Sequence, residues 1–520
     1  MRVERFLSQS AEHHADKTAL CDDKERISYT RWEQSANQVA HLLKAHGVQR
    51  GDRVVIVLDN CVASAVSIFA VMKAGAVFSP VNPTIKADKL GFILSNCRAS
   101  AVITHERLLP MVEEARLAAP WVRSVFLADG AASADTGAVG FAGTIGAMPT
   151  TPPPTEGIDI DLAMLIYTSG STGLPKGVMM THQNIVTASA SITTYLQNTP
   201  TDIILSVLPL SFDYGLYQVL MAAQIGMTVL LEKSFAFPGK IMQKLREERV
   251  TGFPLVPTIA AILLQMRDLA PGFLPHLRYL TNTAAALPPA HIQRLIDLFP
   301  GAQIYSMYGL TERKRCTYLP PEQLAARPGS VGKAIPNTEA YIVDEQGNRV
   351  GPGVVGELVI RGGHVMKGYW EDPAATERVL RPGPVPGEKV LHTGDLFRVD
   401  DDGFLYFVAR KDDIIKTRGE KVSPKEVENV LYGFPGVQEA AVVGVPDRIL
   451  GMALKAFVVI DPILGVTERQ LIAHCARHLE DFMVPKSVEF RADLPKTDTG
   501  KIRRSEVQAE VLRAAGTASP

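Results

Sequence analysis

The chain has 520 residues, with 54 lysines and arginines against 55 aspartates and glutamates, and an apolar fraction of 46%. That length exceeds what one hydrophobic core organises and predicts two or more domains, while a net charge of −1 excludes a nucleic-acid or anionic-membrane binder working by bulk electrostatics. The five cysteines (Cys21, Cys61, Cys97, Cys316 and Cys475) are scattered, which argues against a disulfide framework or zinc site and fits a reducing, cytoplasmic setting.

In chain order, the N-terminus MRVERFLSQSAEHH lacks the apolar region of a signal peptide. The most apolar window, Ala65–Val81, is broken by Lys73 and too short to span a bilayer. Asp52–Leu58 and Ser100–Thr104 read as buried strands around a helix at Val62–Ala74. Strands are predicted again at Ile203–Leu208, Met227–Leu231 and Thr251–Val256, with helices at Leu216–Gln224, Gly239–Glu248 and Ile259–Arg267. This alternation predicts βαβ units and parallel sheets covered on both faces. Ala131–Gly157, rich in Ala, Gly, Thr and Pro, reads as loop or linker. From Gly329 to about Arg410, short alternating strands with glycine turns predict a small β subdomain, with DEQGN as a hairpin turn. Beyond Lys411 an α+β pattern follows: helices at Pro424–Tyr432 and Glu468–Leu479, strands at Ala440–Val445, Lys455–Ile460 and Ser487–Phe490. The expected fold is therefore α/β: a large N-terminal domain (1–411) of parallel-sheet α/β subdomains plus a small β subdomain, then a small mobile α+β C-terminal domain (412–520).

The densest chemistry lies in Tyr167–Gly177, YTSGSTGLPKG, after the apolar run Ala163–Ile166. Small residues let the backbone approach an anion, hydroxyls and N–H groups donate to it, and Lys176 adds charge. The pattern is not a Walker A loop, because Gly177 follows the lysine and Pro175 precedes it. A lone loop of this composition would be a flexible linker about as often as a phosphate site; the preceding strand and the terminal Lys-Gly favour the phosphate.

This segment resembles the phosphate loop of the adenylate-forming superfamily, which comprises acyl-CoA synthetases, adenylation domains and firefly-type luciferases. Four more segments resemble that family in its order: SMYGLTE (Ser306–Glu312), HTGD (His392–Asp395), ARKDDIIK (Ala409–Lys416) and PKTDTGKIR (Pro495–Arg503). The resemblance implies an ATP site made by Thr168, Ser169, Gly170, Ser171, Thr172, Gly173, Lys176, Thr283, Ala284, Ala285, Met307, Tyr308, Gly309, Asp395 and Arg410. Thr311 would donate to the α-phosphate. Glu312 supplies the hard oxygen that suits Mg²⁺. Asp395 accepts from the ribose hydroxyls and Arg410 donates to the same sugar. Asp412 is implied as the interdomain hinge and Lys501 as the catalytic lysine. A carboxylate attacking a phosphate brings two anions together, so charge neutralisation and positioning dominate the catalysis required. Two departures are small-for-small: Thr283-Ala284-Ala285-Ala286 in place of a Gly-Gly-Ala stretch, and Ala409 in place of glycine before the hinge arginine. A third is the run Arg313-Lys314-Arg315-Cys316, standing where part of the acyl pocket is expected.

For the acid, the resemblance implies a pocket of Asp213, Tyr214, Tyr217, Pro254, Thr281, Arg315 and Cys316. SFD in LPLSFDYGLYQ is closer to the amino-acid-activating branch, whose aspartate pairs with a substrate ammonium; Asp213 would otherwise bond backbone in the pocket wall. Two tyrosines and an arginine favour a modest or polar acid over a long fatty chain. Gly419 resembles the glycine beside the pantetheine thiol, so CoA and phosphopantetheine on an acyl carrier protein both remain open as acceptors. The implied activity is ATP-dependent formation of acyl-AMP followed by acyl transfer to a thiol, with CoA favoured. A stand-alone adenylation enzyme loading a carrier protein or an amine is the alternative; a nucleotide-binding scaffold and a luciferase-like oxygenase are remoter ones. The expected small-molecule partner is a carboxylic acid, with no nucleic acid and no membrane span, and with monomer and homodimer equally open.

Overall fold

The structure is a computed structural model that describes residues 1–130, 137–154, 156–169, 175–266, 268–283, 287–417, 420–447, 451–497 and 500–514. Two large sheets organise the chain up to about residue 410. The first has eight strands. Its centre is parallel: Arg53–Val57 lies between Val77–Pro80 and Ala99–Thr104, and Ser124–Leu127 follows on the outer side of the latter. At its other end Leu162–Ser169 turns back antiparallel into Pro175–Thr181, which pairs in turn with the short strand Gly368–Tyr369.

The second sheet has fourteen strands. Parallel strands run side by side in the order Thr18–Cys21, Thr228–Leu231, Ile203–Ser206, Gly252–Leu255, Tyr279–Asn282 and Gln303–Leu310. These are near-continuous apolar runs because helices cover both faces. At Thr311-Glu312 the chain reverses, and Arg313–Leu319 pairs antiparallel with Gln303–Leu310. Antiparallel strands then extend the same sheet through Ser330–Ala334, Leu405–Arg410, Lys389–Val399, Gly356–Gly362 and Thr338–Val343. The β region expected as a separate small layer is thus hydrogen-bonded onto the large sheet, and it carries a helix, Pro373–Val379, that the strand pattern did not predict. DEQGN does make the tight turn expected, closed by Asp344 N–H to the Asn348 carbonyl. The segment expected as linker contains a short strand, Val139–Gly140, and a 3-10 turn, Ile145–Ala147.

Local chemistry places the helices beside the site. His182–Tyr195 starts at a reciprocal cap between Thr181 and Asn184, and Asn184 Nδ2 also donates to the carbonyls of Gly363 and Val365. Helix Asp213–Ile225 begins earlier than the hydrophobic period alone indicated. Gly215 lets it lie against the backbone of Leu208 and Pro209, since a Cβ there would sit 2.3 Å from the Leu208 carbonyl oxygen.

Beyond the 3-10 turn Lys411–Asp413, the chain forms a hairpin (Ile415–Thr417 with Glu420–Val422) and a three-stranded sheet of Val437–Asp447, Gly451–Ile460 and Ser487–Phe490. Helices Pro424–Tyr432 and Glu468–His478 cover one face through Val427, Leu431, Leu471 and Cys475. Arg504–Ala514, unforeseen in the sequence, covers the other face through Val507 packed with Val443, Phe457 and Leu494. This unit has its own core and touches the preceding sheets at few points. Ser423 Oγ donates to the Val408 carbonyl at 2.5 Å, and the rings of His291 and Tyr432 lie 6.0 Å apart. Among the described residues no helix is long and apolar enough to cross a membrane.

Candidate active site

A cavity of about 250 Å³ opens between the large sheets and the C-terminal unit. One wall carries Thr283, Met307, Tyr308, Asp395 and Arg410; the other carries Lys501. Residues nearly 220 positions apart in sequence therefore face one space.

Asp395 is the centre of charge. It is buried where the pairing register of strand Lys389–Val399 shifts, its backbone N–H held by Thr393 Oγ1 at 3.2 Å. Tyr308 donates its hydroxyl to Oδ2 at 2.6 Å, and Arg410 Nε lies 3.2 Å from Oδ1. Burial raises the Asp395 pKa above the usual carboxylate value, and Arg410, Tyr308 and Lys501 offset part of that. Register explains the pairing: Asp395 and Arg410 are opposite partners on adjacent antiparallel strands. The Tyr308 ring is fixed edge-on against Phe397, with centroids 4.9 Å apart.

Lys501 reaches the same place from a hairpin-like loop. Thr497 N–H donates to the Lys501 carbonyl at 2.7 Å, and Lys501 N–H donates back to Thr497 Oγ1 at 3.1 Å. The cleft walls and then Arg410 lower its pKa below the ordinary lysine value, while Asp395 opposes them. The loop can approach because Gly500, at φ +79°, packs directly on Thr258 in the first turn of helix Pro257–Gln265; an added Cβ would sit 2.5 Å from Thr258 Oγ1.

Thr311 and Glu312 form the two-residue turn between Gln303–Leu310 and Arg313–Leu319. Glu312 Oε1 accepts from the Tyr369 hydroxyl at 2.8 Å, and the Glu312 carbonyl accepts from Met366 N–H at 2.9 Å. Lys176 Nζ lies 5.5 Å from the centre of the Tyr369 ring. Strand Gly368–Tyr369 thus joins the strand carrying Lys176 to the turn carrying Glu312. Thr168 and Ser169 end the strand that leads into the loop. Gly170, Ser171, Thr172, Gly173, Ala284, Ala285 and Gly419 lie outside the described residues, and for Ser169 and Asp412 only the backbone is described.

The residues expected around the acyl group line no part of this cavity; they form the layer behind it. The Tyr214 hydroxyl lies 2.7 Å from the Thr281 carbonyl, to which it donates, and 2.6 Å from Thr281 Oγ1, which can donate to it in turn, two residues before cavity-lining Thr283. Tyr195 donates to the sulfur of cavity-lining Met307 at 2.9 Å. Pro254 is buried in strand Gly252–Leu255, and Cys316 is buried with its thiol pushed up to about 11 by desolvation. Asp213 is 2.9 Å from Lys314 Nζ. Tyr369, Thr258 and the cavity-lining Lys425 were not among the residues singled out in the sequence, and Lys314 was noted there only as a member of the basic run. Lys314 stood in plain view in the basic run, whereas Tyr369 and Thr258 carried no signal, since their roles depend on long-range packing.

A buried carboxylate flanked by tyrosine and arginine is thus faced across one cavity by a lysine from a separately packed unit. The chain matches the AMP-binding enzyme family over residues 7–370 and the AMP-binding enzyme C-terminal domain over residues 426–501. It is 31% identical to the long-chain-fatty-acid–CoA ligase of Bacillus subtilis (strain 168) over 539 residues, covering 98% of this chain and 94% of that one. It is 34% identical to the feruloyl-CoA synthase of an Amycolatopsis species over 494 residues, covering 94% and 95%. The crystal structure of ATP-bound MatB from Rhodopseudomonas palustris superposes with a TM-score of 0.88 at 27% identity, covering 98% of this chain and 99% of that one. The chain belongs to the AMP-binding enzyme family. It is an AMP-forming acid–thiol ligase.

Proposed function

We propose that this enzyme joins a short, polar carboxylic acid to CoA through an acyl-adenylate. The observation that carries the reading is the convergence of Asp395, Arg410 and Lys501 on one cavity. Asp395 accepts from the ribose hydroxyls of ATP, taking over the bond it now receives from Tyr308, and Arg410 donates to the same sugar. Tyr308 offers its ring face to adenine, and the loop after Thr168 with Lys176 cradles the phosphates. The acid's carboxylate oxygen attacks the α-phosphorus, the bond to the β-phosphate oxygen breaks, and pyrophosphate leaves. Lys501 and Thr311 stabilise the charge that develops between the two anions. The CoA thiolate then attacks the acyl carbon and AMP departs with its electron pair.

Glu312 fits Mg²⁺: it is a single hard carboxylate at a turn, and no cluster of His, Cys, Asp and Glu able to seat a transition metal exists among the described residues. When bound, that ion neutralises phosphate charge. The relatives that act on fatty and aromatic acids support CoA as acceptor. Asp213, engaged by Lys314, favours an acid without an ammonium group.

Exchange of labelled pyrophosphate into ATP across a panel of acids, followed by mass analysis of products with and without CoA, tests the reading. We expect acid-dependent exchange and an acyl-CoA product. Exchange that yields product only with an amine, or no exchange with any acid, would overturn it.

A further inference from the structure

Directly behind the cavity lies a concentration of buried positive charge that the reading above leaves unused. Arg313, Lys314 and Arg315 are consecutive, and their relative exposures are 0%, 2% and 3%. Cations removed from water persist only where charge or hydrogen bonds replace hydration. Arg313 has such replacements: Nε donates to His364 Nε2 at 2.7 Å and Nη2 to Thr338 Oγ1 at 2.8 Å. Lys314 has Asp213 as an ion pair at 2.9 Å. Arg315 meets no carboxylate among the described residues, and its Nε has no hydrogen-bond partner there. Its guanidinium lies 4.1 Å from the centre of the Tyr214 ring and beside the Tyr195 hydroxyl.

The backbone is bent to make this arrangement. Successive residues of a regular strand point to opposite faces, yet Lys314 and Arg315 both approach Tyr214, at 5.9 Å and 4.1 Å from its ring centre. Arg315 stands at φ +45°. A bulky side chain rarely adopts that region, and such strain is retained where function requires it. Tyr217 completes the box, 4.7 Å below Lys314 Nζ, with its hydroxyl unpartnered among the described residues. The box backs onto the cavity wall: Tyr195 bonds cavity-lining Met307, and Tyr214 bonds Thr281, two residues before cavity-lining Thr283. An acyl group that extends past Met307 from a carboxylate at Lys501 would run toward this box.

We infer that the acid activated here carries a second anionic group, received by Arg315 and Lys314 at the far end of the acyl pocket. The inference rests on the ligase reading of the same cleft. Asp213 balances one of the two cations, so an incoming anion balances the other, whereas a hydrocarbon tail would leave the guanidinium with only the Tyr214 ring and the Tyr195 hydroxyl in place of water. A substrate ammonium would add a third positive charge beside an aspartate already engaged. Burial also pulls Lys314 down to about 7 despite Asp213, so an anion placed there draws a proton onto it.

The test compares matched short monocarboxylic and α,ω-dicarboxylic acids in pyrophosphate exchange and in CoA ligation. The native enzyme should favour the dicarboxylate of a pair in kcat/KM by about a hundredfold, the size expected when one side of a buried charge pair is missing. Arg315→Leu should abolish or invert that preference, while Arg315→Lys should retain most of it. The native enzyme decides the question even where a variant does not fold. A native preference for monocarboxylates, with normal CoA ligation, would overturn the second anion and leave the ligase reading intact. No exchange with any acid would overturn both.

Discussion

Lys501 comes to Asp395 and Arg410 from the opposite wall of the cavity, so its ammonium adds charge to the site only while the C-terminal unit is docked. Lys501→Ala should cut adenylate formation by about a hundred- to a thousandfold, the usual effect of losing one preorganised charge donor. Thioester formation from supplied acyl-adenylate should be largely spared. Because the cleft lowers its pKa, adenylation should decline as pH rises through a value below that of ordinary lysine, and Lys501→Arg should remove that decline. The Asp213–Lys314 pair gives a test of a different kind. Breaking a buried pair from one side costs about 3–5 kcal/mol, whereas replacing both members by neutral groups is often nearly neutral. Denaturant unfolding should therefore show Asp213→Ala and Lys314→Met each strongly destabilised, and Asp213→Asn/Lys314→Met close to the native protein. The sign of the pH effect follows from Lys314. Its folded value is depressed to about 7, so between there and the ordinary lysine value near 10.5 the unfolded chain binds the extra proton. Stability contributed by this group accordingly rises with pH across that window, and the double variant should lose the rise.

Strand Gly368–Tyr369 is only two residues long, yet it joins two parts of the site by pairing with Pro175–Thr181 and bonding Glu312. Hydrogen bonds to a charged group contribute about 1.5–3 kcal/mol. Tyr369→Phe should thus raise the KM for Mg·ATP by about tenfold or more while shifting Tm only slightly; an unchanged KM would make the bond merely structural. Nothing in the sequence marked this tyrosine, because its partners lie about 190 and 57 positions away. The parallel strands were legible for the opposite reason: Arg53–Val57 and Ala99–Thr104 are continuous apolar runs whose composition alone forces burial. Asp395 and Lys501 were legible through motifs, and the structure puts both on one cavity. Arg313–Leu319 shows where such reading fails. The basic run was placed at the expected acyl pocket, but its full burial behind the cavity, with a left-handed turn at Arg315 and facing tyrosines, is set by long-range packing that the sequence did not show. Helix Arg504–Ala514 was likewise hidden, since its weakly apolar face is defined only by the sheet it covers.

At the scale of the whole molecule, we propose that the two half-reactions make different demands on the C-terminal unit. In the pose seen here Lys501 occupies the cavity, and we propose that thioester formation requires this unit to rotate about Asp412 and bring the region of Gly419 to the thiol. Two substitutions separate the poses. Asp412→Pro fixes φ at the pivot and should leave adenylation while thioester formation collapses. Gly500→Ala should do the reverse, because its Cβ would collide with Thr258 Oγ1 at 2.5 Å in this pose and φ +79° is unfavourable to alanine. Adenylation should fall by tenfold or more in Gly500→Ala, with transfer from supplied acyl-adenylate close to native. Thr258→Ala removes the atoms at 2.5 and 3.2 Å and leaves only the Cβ contact at 3.4 Å, so the double variant should recover part of the lost adenylation. Recovery is a readout that general damage to the loop would not give, since deleting a side chain from the opposite wall cannot repair a misfolded hairpin. If Gly500→Ala slowed both half-reactions equally and Thr258→Ala rescued neither, the contact would be incidental to catalysis, and alternation between two poses would lose its support from this interface.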